Sequence, residues 1–129
     1  MILVDSSVWI DYFNGMINRE TDFLDESLQT DMIVVGDIIL TEVLQGFHLD
    51  REFRTARDLL LNLPFLPMLG RDMAVKSAVH YRKLRKIGIT PRKTIDVCIA
   101  TFCLHYNLPI LHNDHDFDIM AEHLGLQVV

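Results

Sequence analysis

The sequence predicts an α/β protein: a three-layer α/β/α sandwich with a mostly parallel central sheet of about five short strands flanked by helices. Three observations predict it. Short apolar runs at residues 1–4, 32–35, 65–66, 110–111 and 126–129 end abruptly at polar or turn residues, as buried strands do. The segments between them carry helical apolar spacing, and strands that alternate with helices pair in parallel. Half of the 129 residues are hydrophobic and no repeat, low-complexity stretch or linker interrupts them, so residues 1–129 read as one domain.

The opening stretch, MILVDSSVWID, organises the rest. Its strand ends at Asp5, and the carboxyl ends of strands are where open α/β sheets bind ligands. Ser6 or Ser7 can cap a helix that runs to Phe13 and stops at Asn14-Gly15. A helix is expected over 18–28. After the second strand and Gly36, a helix over 38–47 places Leu40, Val43, Leu44 and Phe47 on one stripe, with Glu42 pointing away from it. Asp50 can cap a helix that Pro64 stops. Pro67 marks the third strand as peripheral. A long helix over 71–87 ends at Gly88, and 88–93 is a loop. Thr94 can cap a helix over 94–106 that is apolar almost all round. A last helix over 117–124 ends at Gly125.

The two cysteines, Cys98 and Cys103, make neither a disulfide framework nor a zinc set and read as core thiols. Nothing approaches a membrane-spanning apolar run, and the start lacks a basic signal-peptide region, so a cytoplasmic location is expected. The net charge of −6 argues against a nucleic-acid binder, but its distribution does not. Eight of the twelve basic residues fall within 71–93, against Asp72 alone. That segment is either a solvated helix face or a phosphate-binding strip.

Asp5, Glu42, Asp96 and Asp114 stand out, with Asp116 beside the last. Singly, each reads as a helix-terminal or surface acid, which the dipole favours at a helix start. Together they read differently. Asp96 sits on the most apolar helix, where a carboxylate needs a partner or a metal. Asp5 and Asp114 both follow strands, whose ends share one edge in a parallel sheet. Carboxylates gathered there repel one another unless a cation intervenes. Hard oxygen donors point to Mg²⁺ or Mn²⁺, which can activate water and neutralise a phosphodiester.

Four stretches, VDSSVWIDYF, LTEVLQG, TIDVCIA and HNDHDF, resemble in order the four acid motifs of the PIN-domain family, and within it the VapC-type toxins of bacterial toxin–antitoxin pairs. The resemblance covers the whole chain. It implies a PIN-like sandwich and a metal-dependent endoribonuclease, a hydrolase of RNA phosphodiesters, with Asp5, Glu42, Asp96 and Asp114 catalytic. It further implies that Asp5, Asp96, Asp114 and Asp116 hold metal, with Glu42 helping or accepting a proton, and that the products carry a 5′-phosphate and a 3′-hydroxyl. Ser7 is the expected support that orients the attacking water. Arg82, Arg85, Lys86, Arg92 and Lys93 are the expected grip on the RNA backbone. A homodimer and a small VapB-like antitoxin, forming a toxin–antitoxin hetero-oligomer, are the expected partners. One departure is His112, where the family commonly has Ser or Thr; His115 also separates the two aspartates. The alternatives are a catalytically silent PIN-like protein-binding module, which retention of all four acids opposes, and a receiver-like signalling domain. The latter wants an acidic pair after the first strand and a lysine after a late one, and neither is present.

Overall fold

A computed structural model of the chain describes residues 1–30 and 32–129. Its elements run β1 (Ile2–Val4), α1 (Ser6–Phe13), α2 (Arg19–Ser27), β2 (Ile33–Gly36), α3 (Asp37–Leu44), α4 (Asp50–Leu61), β3 (Phe65–Leu66), α5 (Arg71–Lys86), α6 (Thr94–Tyr106), β4 (Ile110–Leu111) and α7 (His115–Leu124). The strands form one sheet of order β3-β2-β1-β4 with every pairing parallel. Every residue of β1, β2 and β4 is buried, which is why these strands read as unbroken apolar runs and not as alternating ones. β1 lies in the middle: Leu3 pairs with Val34 on one side and Ile110 on the other. The Asp5 N–H continues that ladder onto the Leu111 carbonyl at 2.9 Å. The first acid is thus fixed by backbone bonds at the end of the central strand.

The fifth expected strand shrinks to a single parallel bridge between Ile110 and Val128. Ile110 N–H donates to Gln127 O and Val129 N–H to Ile110 O, at 2.9 and 3.0 Å. β4 is two residues long, so it offers a further strand little to pair with. Capping also differs from expectation. Asp5 itself, and neither serine, caps α1 by accepting the Ser7 N–H. Leu49 and Lys93 occupy the cap positions of α4 and α6, which places Asp50 and Thr94 inside those helices. Asp114 caps α7, so that helix starts two residues before its expected Phe117. α3 ends at Leu44, short of the expected residue 47; its most deeply buried residues are Ile39 and Val43, while Leu40, Leu44 and, beyond the helix, Phe47 are half-buried at the core margin.

α6 packs most extensively against α5 and buries every residue from Asp96 to Cys103. Trp9, Phe102 and Phe117 are fully buried, and both cysteines are buried and free. Among the described residues no helix is long and apolar enough to cross a membrane.

Candidate active site

Asp5 is 3% exposed at the carboxyl end of β1. Its Oδ2 accepts the Ser7 N–H at 3.1 Å and the Ser7 hydroxyl at 2.6 Å. Burial raises the Asp5 pKa; the Ser7 bonds oppose this, and the nearby Asp114 adds to it. The Ser7 oxygen in turn accepts the backbone N–H of Asn113 at 3.0 Å. One hydroxyl therefore ties the loop after β4 to the first acid, with its proton and a lone pair both committed. Ser7 is a tie between two motifs, its hydroxyl proton given to Asp5 and one of its two lone pairs to Asn113.

The loop after β4 carries Asp114. Its N–H is taken by His112 Nδ1 at 3.1 Å, and its Oδ1 accepts the Asp116 N–H at 3.0 Å. Asn113 adds a side-chain bond to Asp11 at 3.2 Å. Every turn of this loop is held by a side chain, so Asp114 is presented from a fixed backbone.

Asp96 is the third residue of α6 and is 4% exposed, as an acid on an all-apolar helix must be. Its Oδ2 is enclosed and has no hydrogen-bond partner among the described residues. Burial pushes its carboxyl up to about 6, with Lys93 pulling down and Asp5, Asp114 and Glu42 pushing further up. Glu42, from α3, is half-buried; its Oε1 is likewise enclosed and unpartnered among those residues. Burial raises its pKa too, against the Ser6 hydroxyl and Lys93 and with Asp5 adding repulsion. Carboxylate oxygens of Asp96, Asp114 and Asp116 lie within 4.8 Å of one another.

The fold therefore gathers all five sequence-predicted acids around the carboxyl ends of β1 and β4. Lys93 joins them as a charge partner of Asp96 and Glu42. Arg92 joins them through Asp116: its Nε donates to Oδ2 at 3.1 Å, and its Nη2 stands 3.0 Å from the same atom. Arg82, Arg85 and Lys86 are exposed on α5 without an acid partner among the described residues; Arg85 lies over the Tyr81 ring, 5.9 Å from its centre. Sequence reasoning missed the roles of Asn113 and Asp11, which carry no signal beyond proximity to a motif.

Residues 2–123 match the sequence model of the PIN domain. The chain belongs to the PIN-domain family. This PIN domain is 34% identical over 132 residues to a VapC ribonuclease of Mycobacterium bovis and to ribonuclease VapC11 of Mycobacterium tuberculosis, covering 98% of this chain and 96% of each of theirs. Its fold is similar to that of a chain in the crystal structure of VapBC2 from Rickettsia felis bound to a promoter DNA fragment. The TM-score there is 0.78 at 15% identity, over 100% of this chain and 98% of the other. For FitAcB from Neisseria gonorrhoeae the TM-score is 0.77 at 17% identity, over 99% and 96%.

Proposed function

We propose that residues 1–129 act as a single-domain, Mg²⁺- or Mn²⁺-dependent endoribonuclease, the toxin of a VapBC-like toxin–antitoxin pair working in the cytoplasm. The observation that carries this is the convergence of Asp5, Glu42, Asp96 and Asp114 from four separate elements, with two enclosed carboxylate oxygens left without a partner among the described residues. Burying such oxygens without a partner is costly, and a dication relieves both the missing contacts and the mutual repulsion. The donor set is all oxygen, which suits Mg²⁺ or Mn²⁺. Identity to VapC ribonucleases over nearly the whole chain supports the same reading.

Asp5, Asp96 and Asp114 would hold the ion. When bound, it supplies Lewis-acid stabilisation of the phosphodiester and lowers the pKa of water. The chain's own residues do the rest. Ser7 and the backbone ladder fix Asp5; His112 fixes the loop that presents Asp114. Glu42, whose pKa is raised, would accept the proton of the attacking water. In-line attack on phosphorus expels the 3′ oxygen, leaving a 5′-phosphate and a 3′-hydroxyl. Lys93 stands beside the acids, where a positive charge draws a phosphate into an otherwise repulsive site; Arg82, Arg85 and Lys86 extend that attraction along α5. Exposed Leu69, Val75 and Val79 at and beyond the start of α5 support a self-association face for a homodimer.

The test is cleavage of a total RNA pool by purified, antitoxin-free protein with Mg²⁺ or Mn²⁺, with EDTA, and with Asp96→Asn. Discrete cleavage abolished by EDTA and by the substitution supports the proposal. Folded protein that neither cleaves RNA nor binds Mn²⁺ would overturn it in favour of a silent binding module.

A further inference from the structure

The arginine at the edge of the acid cluster bears on how many ions the cluster takes. We infer that Arg92 fills, from within the chain, the place a second cation would take at Asp116, so that the site holds a single divalent ion. The inference rests on the metal-dependent reading above and deepens it.

Three carboxylates with oxygens within 4.8 Å of one another, beside Asp5 and Glu42, carry enough charge to attract two dications. The fixed cations divide that cluster. Arg92 brings Nε and Nη2 together onto one oxygen of Asp116, the side-on contact a guanidinium makes and an ammonium does not. Lys93 faces Asp96 and Glu42. The acids left with enclosed, unpartnered oxygens among the described residues are Asp96, which shares the 4.8 Å group with Asp116, and Glu42. Among these acids Asp116 is the one paired with an arginine, whereas Asp96 and Glu42 keep an oxygen without a partner among the described residues.

Arg92 is placed by the backbone around it. Pro91 precedes it, and Lys93, which follows, is the cap residue of α6, the helix that carries Asp96. Its position is therefore tied to the position of the acids. The guanidinium keeps its charge at every pH at which the protein is folded. Five carboxylates against Arg92 and Lys93 leave three negative charges. One dication reduces these to one. A second would meet a site already nearly neutral, with Arg92 held on Asp116 Oδ2. Asp116 then serves as the anchor of Arg92 and not as a ligand. The guanidinium N–H groups that Asp116 does not use remain available to a phosphate oxygen.

The experiment counts Mn²⁺ bound by antitoxin-free protein, using calorimetric titration together with the EPR signal of free Mn²⁺. Wild type is expected to bind one ion, Arg92→Gln two, and Arg92→Lys one, because lysine keeps the charge. Asp116→Asn is expected to retain one ion with an affinity changed less than about threefold, whereas Asp114→Asn loses it. Circular dichroism verifies folding of each variant. Two ions in wild type, one in Arg92→Gln, or loss of the ion in Asp116→Asn would overturn the inference and leave the metal-dependent reading standing. No ion bound by folded wild type would overturn both.

Discussion

The Nδ1 atom of His112 accepts the backbone N–H of Asp114 at 3.1 Å. That bond fixes the tautomer: the lone pair is on Nδ1 and the proton on Nε2, which lies 3.2 Å from Asp118 Oδ1 but is too poorly aligned to hydrogen-bond it. With Nδ1 so engaged, Nε2 has no lone pair to offer a metal. His112 does with an imidazole what the hydroxyl of a Ser or Thr does at such a turn, accepting the N–H two residues on.

Replacing His112 by Phe keeps a ring against Phe117, whose centroid is 5.3 Å away, and removes the acceptor. The expected result is a loss of about tenfold in Mn²⁺ affinity, in line with other residues that orient metal ligands. Asn at this position can again accept the N–H and should recover most of that loss. If Phe and Asn bind Mn²⁺ equally well, the bond to Asp114 has no part in shaping the site.

Ser7→Ala cuts a junction of three groups: the Asp5 carboxylate, the Ser7 oxygen and the Asn113 N–H. Loss of both bonds should lower stability in urea by roughly 1–3 kcal/mol. Asp5, deprived of a donor that lowers its pKa, should also become harder to ionise. A variant as stable as wild type would show that Asn113 is held by other means.

Asp96 titrates at about 6 in the fold against an ordinary 3.8, so between those pH values the folded state holds a proton that the unfolded chain has released. Stability of the metal-free protein from this group therefore falls as pH rises through that window, by at most roughly 3 kcal/mol. Asp5 and Glu42, also raised, act in the same direction. Metal-free Asp96→Asn should consequently melt above wild type at pH 7.5, with the gap narrowing towards pH 4.5. Proton competition should also weaken Mn²⁺ binding below about pH 6. A gap independent of pH would mean that Asp96 is ionised throughout.

Gly36→Ala should destabilise the sheet. A Cβ there overlaps the Met68 side chain and comes within 3.1 Å of the Leu66 carbonyl oxygen. Met68 is fully buried and its thioether is flexible, so it can retreat only by disturbing its neighbours. The expected cost, read from chemical denaturation, is about 1–3 kcal/mol. A neutral result would show that Met68 repacks freely.

What the sequence revealed and what it withheld divide along a physical line. Strand runs and helix breaks are local, so β1, α5 and α6 were legible to within a residue or two. The meeting of Asp5 and Asp114 was legible because parallel strands share an edge, and Asp96 was legible because a carboxylate on so apolar a helix needs a partner. Partners set by loop geometry were not. Nothing in the chain indicates that Arg92 also folds back 24 residues to Asp116. The bond from Asn113 to Ser7 was not legible because the two residues are 106 positions apart. In α3, apolar residues at 38, 39, 40, 43 and 44 admit more than one buried stripe, and contact with the sheet selects Ile39.

β1 cannot complete its pairing until β4 exists, since Leu3 waits for Ile110 and the Asp5 N–H for the Leu111 carbonyl. At roughly 5–20 residues per second, a ribosome delivers the last acid several seconds to tens of seconds after the first. Throughout that interval the nascent chain has no assembled carboxylate centre. A centre that needs Asp5 and Asp114 side by side therefore cannot form before residue 114 has been made.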